Sequence, residues 1–218
     1  LGSYLYFYKN HPEKITRQYI VDHVTCGDTF IEIGTNYGYF SLLAALTAGP
    51  IGQVFCFESR PQLCRIIRES SYSNAFNNLL TVENCIVTDS MGLSSAEEIV
   101  HDSNSSAAST PDDSCIVQQA YQENDSREFP TTITMDQYFM DKRFTGRVFV
   151  KIDMLGTEDR VLAGMEKMLT GNIPYCIILK ARNGQDPACQ RLIRSGYMLV
   201  MTDIIGENGL GNYIFVRD

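Results

Sequence analysis

Apolar residues in this chain gather in short runs that end at a glycine or an acid, and between those runs they recur every three or four positions. Thr29 to Ile33 is a short apolar and β-branched run, the pattern of a buried parallel strand. It stops at Gly34, and Phe40, Leu43, Ala44 and Leu46 then follow at helical spacing. The alternation repeats downstream. Gln53 to Glu58 predicts a second strand, and Pro61 opens a helix with Leu63, Ile66 and Ile67 on its buried stripe. Leu79 to Val87 predicts a third strand, interrupted at Glu83-Asn84. Arg147 to Asp153 predicts a central fourth strand, followed by one helix that Thr157 can cap, with Val161, Leu162, Met165, Met168 and Leu169 on its inner face. A fifth strand at Tyr175 to Leu179 precedes a helix over 186–195, with Leu192 and Ile193 facing inward. Two last strands, Tyr197 to Met201 and Tyr213 to Val216, flank a glycine-rich connection. Ahead of all this, residues 12–25 read as a helix with Ile15, Tyr19, Ile20 and Val24 on one face. Strands alternating with helices predict an α/β fold with a doubly wound sheet and right-handed crossovers.

Residues 88–130 break the pattern. Serine clusters and Pro111-Asp112-Asp113 make this stretch polar, and a loop of this length in a compact domain is functional or disordered. It also carries nine acids and one base, leaving 17 of the 26 acids against 17 of the 18 bases for the rest of the chain. The net charge of −8 therefore belongs to one acidic insertion, with a short helix expected near 114–122, on a neutral body. Neither part offers the basic patch that nucleic acid demands. No apolar run approaches the roughly 20 residues of a membrane span. The domain organisation expected is a helical brace over 1–27 and one unit over 28–218 that contains the insertion.

Seven cysteines without C-x-x-C spacing fit free, buried thiols in a soluble protein of a reducing intracellular compartment, cytoplasm or organelle matrix. The sequons at Asn104 and Asn124 weigh only slightly toward a secretory location. His11 and His23 lie on or near the first helix without a second ligand at helical spacing, and His101 sits among acids at spacings unlike a metal site, so no metal is expected.

The chemistry concentrates at Glu32-Ile33-Gly34-Thr35-Asn36-Tyr37-Gly38. A strand that turns through glycine into a helix aims backbone N–H groups at whatever lies over the strand's end. The spacing lacks the glycines of a dinucleotide loop and the Lys-Ser/Thr of a P-loop, which argues against an NAD-dependent oxidoreductase. Glu58, ending the second strand 24 residues after Gly34, stands where an acid takes ribose hydroxyls in nucleotide folds.

This loop, Glu58, the lead-in from Thr132 to Asp136 and the block Lys151-Ile152-Asp153-Met154-Leu155-Gly156-Thr157-Glu158 together resemble the FkbM family of class I S-adenosylmethionine (SAM)-dependent methyltransferases. The resemblance runs from about residue 28 to 218 without the insertion. It implies a Rossmann-like mixed sheet of seven strands with the last antiparallel, and SAM as cofactor. It implies methyl transfer mainly to a hydroxyl oxygen of a small molecule or sugar. Carried over by position, Gly34, Asn36 and Gly38 would hold the methionine end of SAM, with Glu32 orienting the loop. Glu58 would take the ribose, Asn84 would lie by the adenine edge, and Asp153 would sit beside the sulfonium. Asp153 is then the acceptor-positioning catalytic residue, with Lys151, on the same strand face, as a candidate base or a mere ion-pair partner. Two positions depart from the family, which usually has glutamate where Leu155 and Lys180 stand. Both border the acceptor side, so a second reading is a catalytically silent methyltransferase-like domain that binds or scaffolds a partner through the acidic insertion.

Overall fold

The computed structural model describes residues 13–91, 130–154, 156–206 and 209–217. The acidic insertion, Leu155, His11, His101, Cys115 and both sequons lie largely or wholly outside them. In chain order the elements are α1 (Lys14–His23), β1 (Thr29–Ile33), α2 (Tyr39–Ala48), β2 (Gln53–Glu58), α3 (Pro61–Ser73), β3 (Leu80–Val87), β4 (Thr131–Ile133), α4 (Met135–Tyr138), β5 (Val148–Ile152), α5 (Glu158–Ala163), α6 (Glu166–Thr170), β6 (Pro174–Ala181), α7 (Pro187–Arg194), β7 (Met198–Ile204) and β8 (Gly211–Val216).

The strands form one sheet in the order β4-β3-β2-β1-β5-β6-β8-β7, with only β8 running antiparallel to its neighbours. The α/β fold and the antiparallel last strand are as expected. The sheet has eight strands rather than seven, because the short extended lead-in pairs in parallel with β3, Ile86 opposite Thr132. β3 is also continuous through Glu83-Asn84. Alternation along each strand sends side chains into two cores. One, with Ile31, Ile33, Val150 and Ile152, lies under α4 to α7; the other, with Phe30, Phe149, Cys176 and Ile178, lies under α1 to α3.

Helix phases depart from expectation in four places, one of them Leu46 of α2, which is exposed. In α3 the stripe is Leu63, Cys64 and Ile67 and turns Ile66 outward; in α7 it is Ala188, Cys189 and Leu192 and leaves Ile193 exposed; in α1 Ile15 is exposed. In α3 and α7 a thiol packs as a small hydrophobe and fills the position the isoleucine was expected to take. Nor is there one helix from 157 to 169. A Cβ on Gly164 would come within 2.1 Å of the Thr88 carbonyl oxygen at the end of β3, and the helix breaks at that close approach. α6 then starts afresh, capped from another element: the Asp136 carboxylate accepts from Lys167 N at 2.8 Å and Met168 N at 3.0 Å. Asp136, in the lead-in quoted above, is thus engaged at a helix start.

Six cysteines among the described residues are free, and all but Cys26 are buried. His23 stacks on Tyr19, with ring centroids 3.9 Å apart. No helix among the described residues is long and apolar enough to cross a membrane.

Candidate active site

β1 and β5 are neighbours, yet the chain moves outward from them in opposite directions, to β2 and β3 on one side and to β6 on the other. The carboxyl ends of such a pair form the crevice in which open α/β sheets bind ligands. Glu32, Gly34, Asn36, Gly38, Glu58, Asn84, Lys151 and Asp153, all singled out from the sequence, lie at or beside this end of β1, β2, β3 or β5.

The glycine loop is stitched to β2. Gly34 N and Thr35 N donate to the Phe57 carbonyl at 3.0 and 3.3 Å, and Thr35 Oγ1 donates back to the Glu32 carbonyl at 3.1 Å. Gly34 has φ +78°, and a Cβ there would sit 2.1 Å from the Asp153 carbonyl oxygen. The end of β5 thus runs directly over it, and only glycine fits both the backbone and the space. Asn36 holds a left-handed φ of 54°, and Gly38 opens α2 as its N-cap, against Ile67 of α3.

Glu58 is buried at the end of β2. Its Oε2 accepts from Asn36 N at 2.8 Å; its Oε1 accepts from Arg60 N and Arg60 Nε, both at 3.0 Å. The carboxylate therefore ties the glycine loop to the β2–α3 turn, and the half-buried Arg60 guanidinium lies across it. Asn84 braces the same turn, its Nδ2 donating to the Glu58 and Ser59 carbonyls at 2.9 Å each.

A row of charges runs along the adjoining strands on the face covered by α1 and α2. Glu32 accepts from Ser41 N at 2.9 Å and from the Ser41 hydroxyl, and Lys151 Nζ lies 3.9 Å from its other oxygen. Lys151, only 2 % exposed, also sits over the Phe40 ring and donates to Asp153 Oδ2 at 3.1 Å. The same Oδ2 accepts from Lys180 Nζ at 3.0 Å, and Lys180 reaches Glu13, the N-cap residue of α1, at 2.6 Å. Glu13 and Thr16 in turn accept from Asn212 of β8. Within the row only Asp153, 20 % exposed, and Lys180 are appreciably open.

Burial and the neighbouring charges pull these groups apart. Burial alone would raise the Asp153 pKa, but Lys151 and Lys180 more than offset it and hold Asp153 below the ordinary carboxylate range. Burial alone would depress Lys151, yet Asp153, Glu32 and Glu13 outweigh it and keep it an ammonium. Glu32 goes the other way: burial pushes its pKa up to about 7, with Lys151 and Ser41 opposing. Glu158 is likewise pushed up to about 7 by burial, although Gly156 N at 2.8 Å and Met154 N at 3.3 Å donate to it. Those two bonds clasp the turn that follows Asp153.

The structure thus brings together Glu32, Gly34, Asn36, Gly38 and Glu58 on one side and Lys151 and Asp153 on the other, with Asn84 behind the β2 turn. Sequence reasoning did not single out Glu13, Arg60 or the clasp made by Glu158. Arg60 was discoverable two residues beyond Glu58, and Glu158 within its block. Glu13 meets Lys180 across 167 residues, without a local signal.

No family model matches the chain, and no curated protein matches it by sequence. Solved structures do match its fold. Methyltransferase FkbM from Methylobacillus flagellatus KT superposes with a TM-score of 0.59 at 12 % identity over 87 % of this chain. A Clostridium thermocellum protein assigned as an rRNA-methylase gives 0.54 at 13 %, covering 93 % of each chain. Streptococcus pneumoniae Sp1610, assigned as a tRNA methyltransferase and solved in complex with S-adenosyl-L-methionine, gives 0.52 at 11 %, covering 93 % of this chain and 71 % of its own. The fold is that of the class I methyltransferases. This chain spans 43 % of the FkbM protein's length.

Proposed function

We propose that this chain is a SAM-dependent methyltransferase of the FkbM kind that methylates a hydroxyl oxygen on a small molecule or sugar. The observation that carries it is the pairing of Glu58 with the glycine loop at the carboxyl end of β2, with Asp153 at the end of β5 on the far side of Gly34. That loop and buried carboxylate suit the two ends of the cofactor. Gly34, Asn36 and Gly38 would bound the methionine part, with Glu32 holding α2 through Ser41. Glu58 would take the ribose hydroxyls once Arg60 swings off it, and Asn84, by fixing the β2 turn, would shape the adenine edge. Bound SAM supplies an already activated methyl group, so the protein's task is alignment and removal of a hydroxyl proton.

For that proton Asp153 is the better group. Lys151 is held protonated and cannot accept one; its role is to keep Asp153 ionised and aimed. Both lysines grip Oδ2, which leaves Oδ1 for an incoming hydroxyl. Neighbours assigned to RNA do not carry their substrates to this chain, and its charge pattern, neutral apart from an acidic segment, supports a small acceptor over nucleic acid. A reducing compartment suits five buried free thiols.

A second reading has a specific observation behind it. An Asp153 clamped between two ammonium groups is a weak base, which suits a silent domain that scaffolds a partner through residues 88–130. Calorimetric titration with S-adenosylhomocysteine (SAH), using Glu58→Ala in parallel, separates the two. Micromolar binding lost in the variant supports the enzyme. Absence of binding by the folded parent sinks it and turns the search to protein partners.

A further inference from the structure

Glu13 is the N-cap residue of α1, the helix set apart as a brace in the sequence. The structure seats it at the site: its carboxylate is 2.6 Å from Lys180, and Lys180 is 3.0 Å from the one carboxylate of the row that faces the cleft. The row from Glu13 through Lys180, Asp153 and Lys151 to Glu32 contains three acids and two lysines. With every group ionised it carries one net negative charge; with Glu32 protonated it is neutral. In either state, loss of the Glu13 charge makes the row more positive by one unit, to neutral in the first and to one net positive charge in the second. Resting on the SAM reading above, we propose that Glu13 and Lys180 are positioning residues that set the electrostatic field where the cofactor's charged sulfur binds, so that the site discriminates SAM, a sulfonium cation, from SAH, its neutral-sulfur product.

The physical reason is the difference between the two ligands. They share the adenosine and the amino-acid end and differ by one methyl and one positive charge at sulfur. Contacts that merely hold the ligand act on both alike, whereas a change in the local field acts on SAM alone. Removing the Glu13 charge leaves Lys180 with Asp153 as its one ion-pair partner among the described residues and makes the row more positive, which opposes a cation. Removing the Lys180 charge does the reverse.

The test is the ratio Kd(SAM)/Kd(SAH), measured by titration calorimetry of the full chain at neutral pH. Glu13→Gln is expected to raise that ratio on the order of threefold to tenfold, the scale of one screened charge acting across several ångströms. Lys180→Gln is expected to lower it by a similar factor, and the double variant to return it close to the parental value. Glu13→Asp, which keeps the charge, should leave the ratio near the parent's. Thermal melts run alongside identify any variant that has lost its fold, and the aspartate variant then carries the decision.

A ratio that stays constant through both single variants while SAH still binds overturns the inference and leaves the methyltransferase reading intact. So does a Glu13→Asp ratio that shifts as far as Glu13→Gln, since packing rather than charge would then be at work. Failure of the parent to bind SAH overturns the function and this inference with it.

Discussion

The two halves of the crevice, which the proposed function assigns to the cofactor and to the acceptor, are built from different materials. Around Gly34 and Glu58 the contacts are backbone ones: carbonyl and N–H groups of β2, a left-handed turn, and a carboxylate that accepts from Asn36 N and Arg60 N. Around Asp153 they are side chain to side chain, in a chain of ion pairs that ends on α1. Backbone contacts constrain shape and are indifferent to which residue supplies them, glycine positions aside. Charge pairs constrain identity, because each member is costly to bury without its partner. A fold held by the first kind can be kept while the second is re-cut, and Lys180, where the FkbM pattern usually has glutamate, lies in the second half.

The sharpest way to break this contrast is Gly34→Ala. Its Cβ would collide with the Asp153 carbonyl at 2.1 Å while the residue is held at φ +78°, and backbone cannot move aside as a flexible side chain would. A loss of about 4 kcal/mol or more, or no folded protein, is expected in denaturant melts. A loss under about 1 kcal/mol would show that shape is not what holds the cofactor half. Next comes Lys151→Met, which strands Glu32 and Asp153 in the interior. Lys180 still neutralises Asp153, so the cost should fall near the lower end of the usual range for a broken buried pair, about 3 kcal/mol.

Proton linkage comes third. Burial pushes Glu32 and Glu158 up to about 7 from the ordinary 4.5, so between those limits the folded state holds more protons than the unfolded one. Their contribution is full below pH 4.5 and is lost as pH rises through 7. Melts should therefore show stability rising on going from pH 8 to pH 6, by on the order of 1 kcal/mol per group. Glu158→Gln should flatten that slope by about half, and an unchanged slope would remove Glu158 from the account. Asp28, Asp153 and Glu13, whose pKa values are lowered, act oppositely and only in acid. The smallest effect expected is from Arg60→Gln. Freeing Glu58 of a half-exposed guanidinium should tighten SAH binding up to about fivefold, the worth of a surface ion pair. Weakened binding would mean that Arg60 touches the ligand instead of covering its site.

Much of the fold was legible because strand ends and site residues coincide. β1 and β2 occupy the residues expected, since each is an apolar run closed by a glycine or an acid that the crevice uses. What could not be read arises between elements. The break at Gly164 is imposed by the Thr88 carbonyl, and the start of α6 by Asp136, about thirty residues away. Ile66 and Ile193 look like core residues by composition, but helix phase places a cysteine there instead. In the candidate site, local spacing pointed to Gly34 and Glu58, and the resemblance pointed to Asn36 and Asp153. Lys180 registered only as a departure, because its partner Glu13 lies at the other end of the chain.

That last pairing bears on the order in which the molecule assembles. Asn36 meets Glu58 across 22 residues, whereas Asn212 meets Glu13 across 199. Closing the longer loop must await nearly the whole chain, and contacts of such separation slow the search for the native state. During synthesis the Asn36–Glu58 contact becomes possible as soon as β2 and its turn are free of the ribosome. The row of charges around Asp153 stays unfinished until β8 emerges and Asn212 meets Glu13.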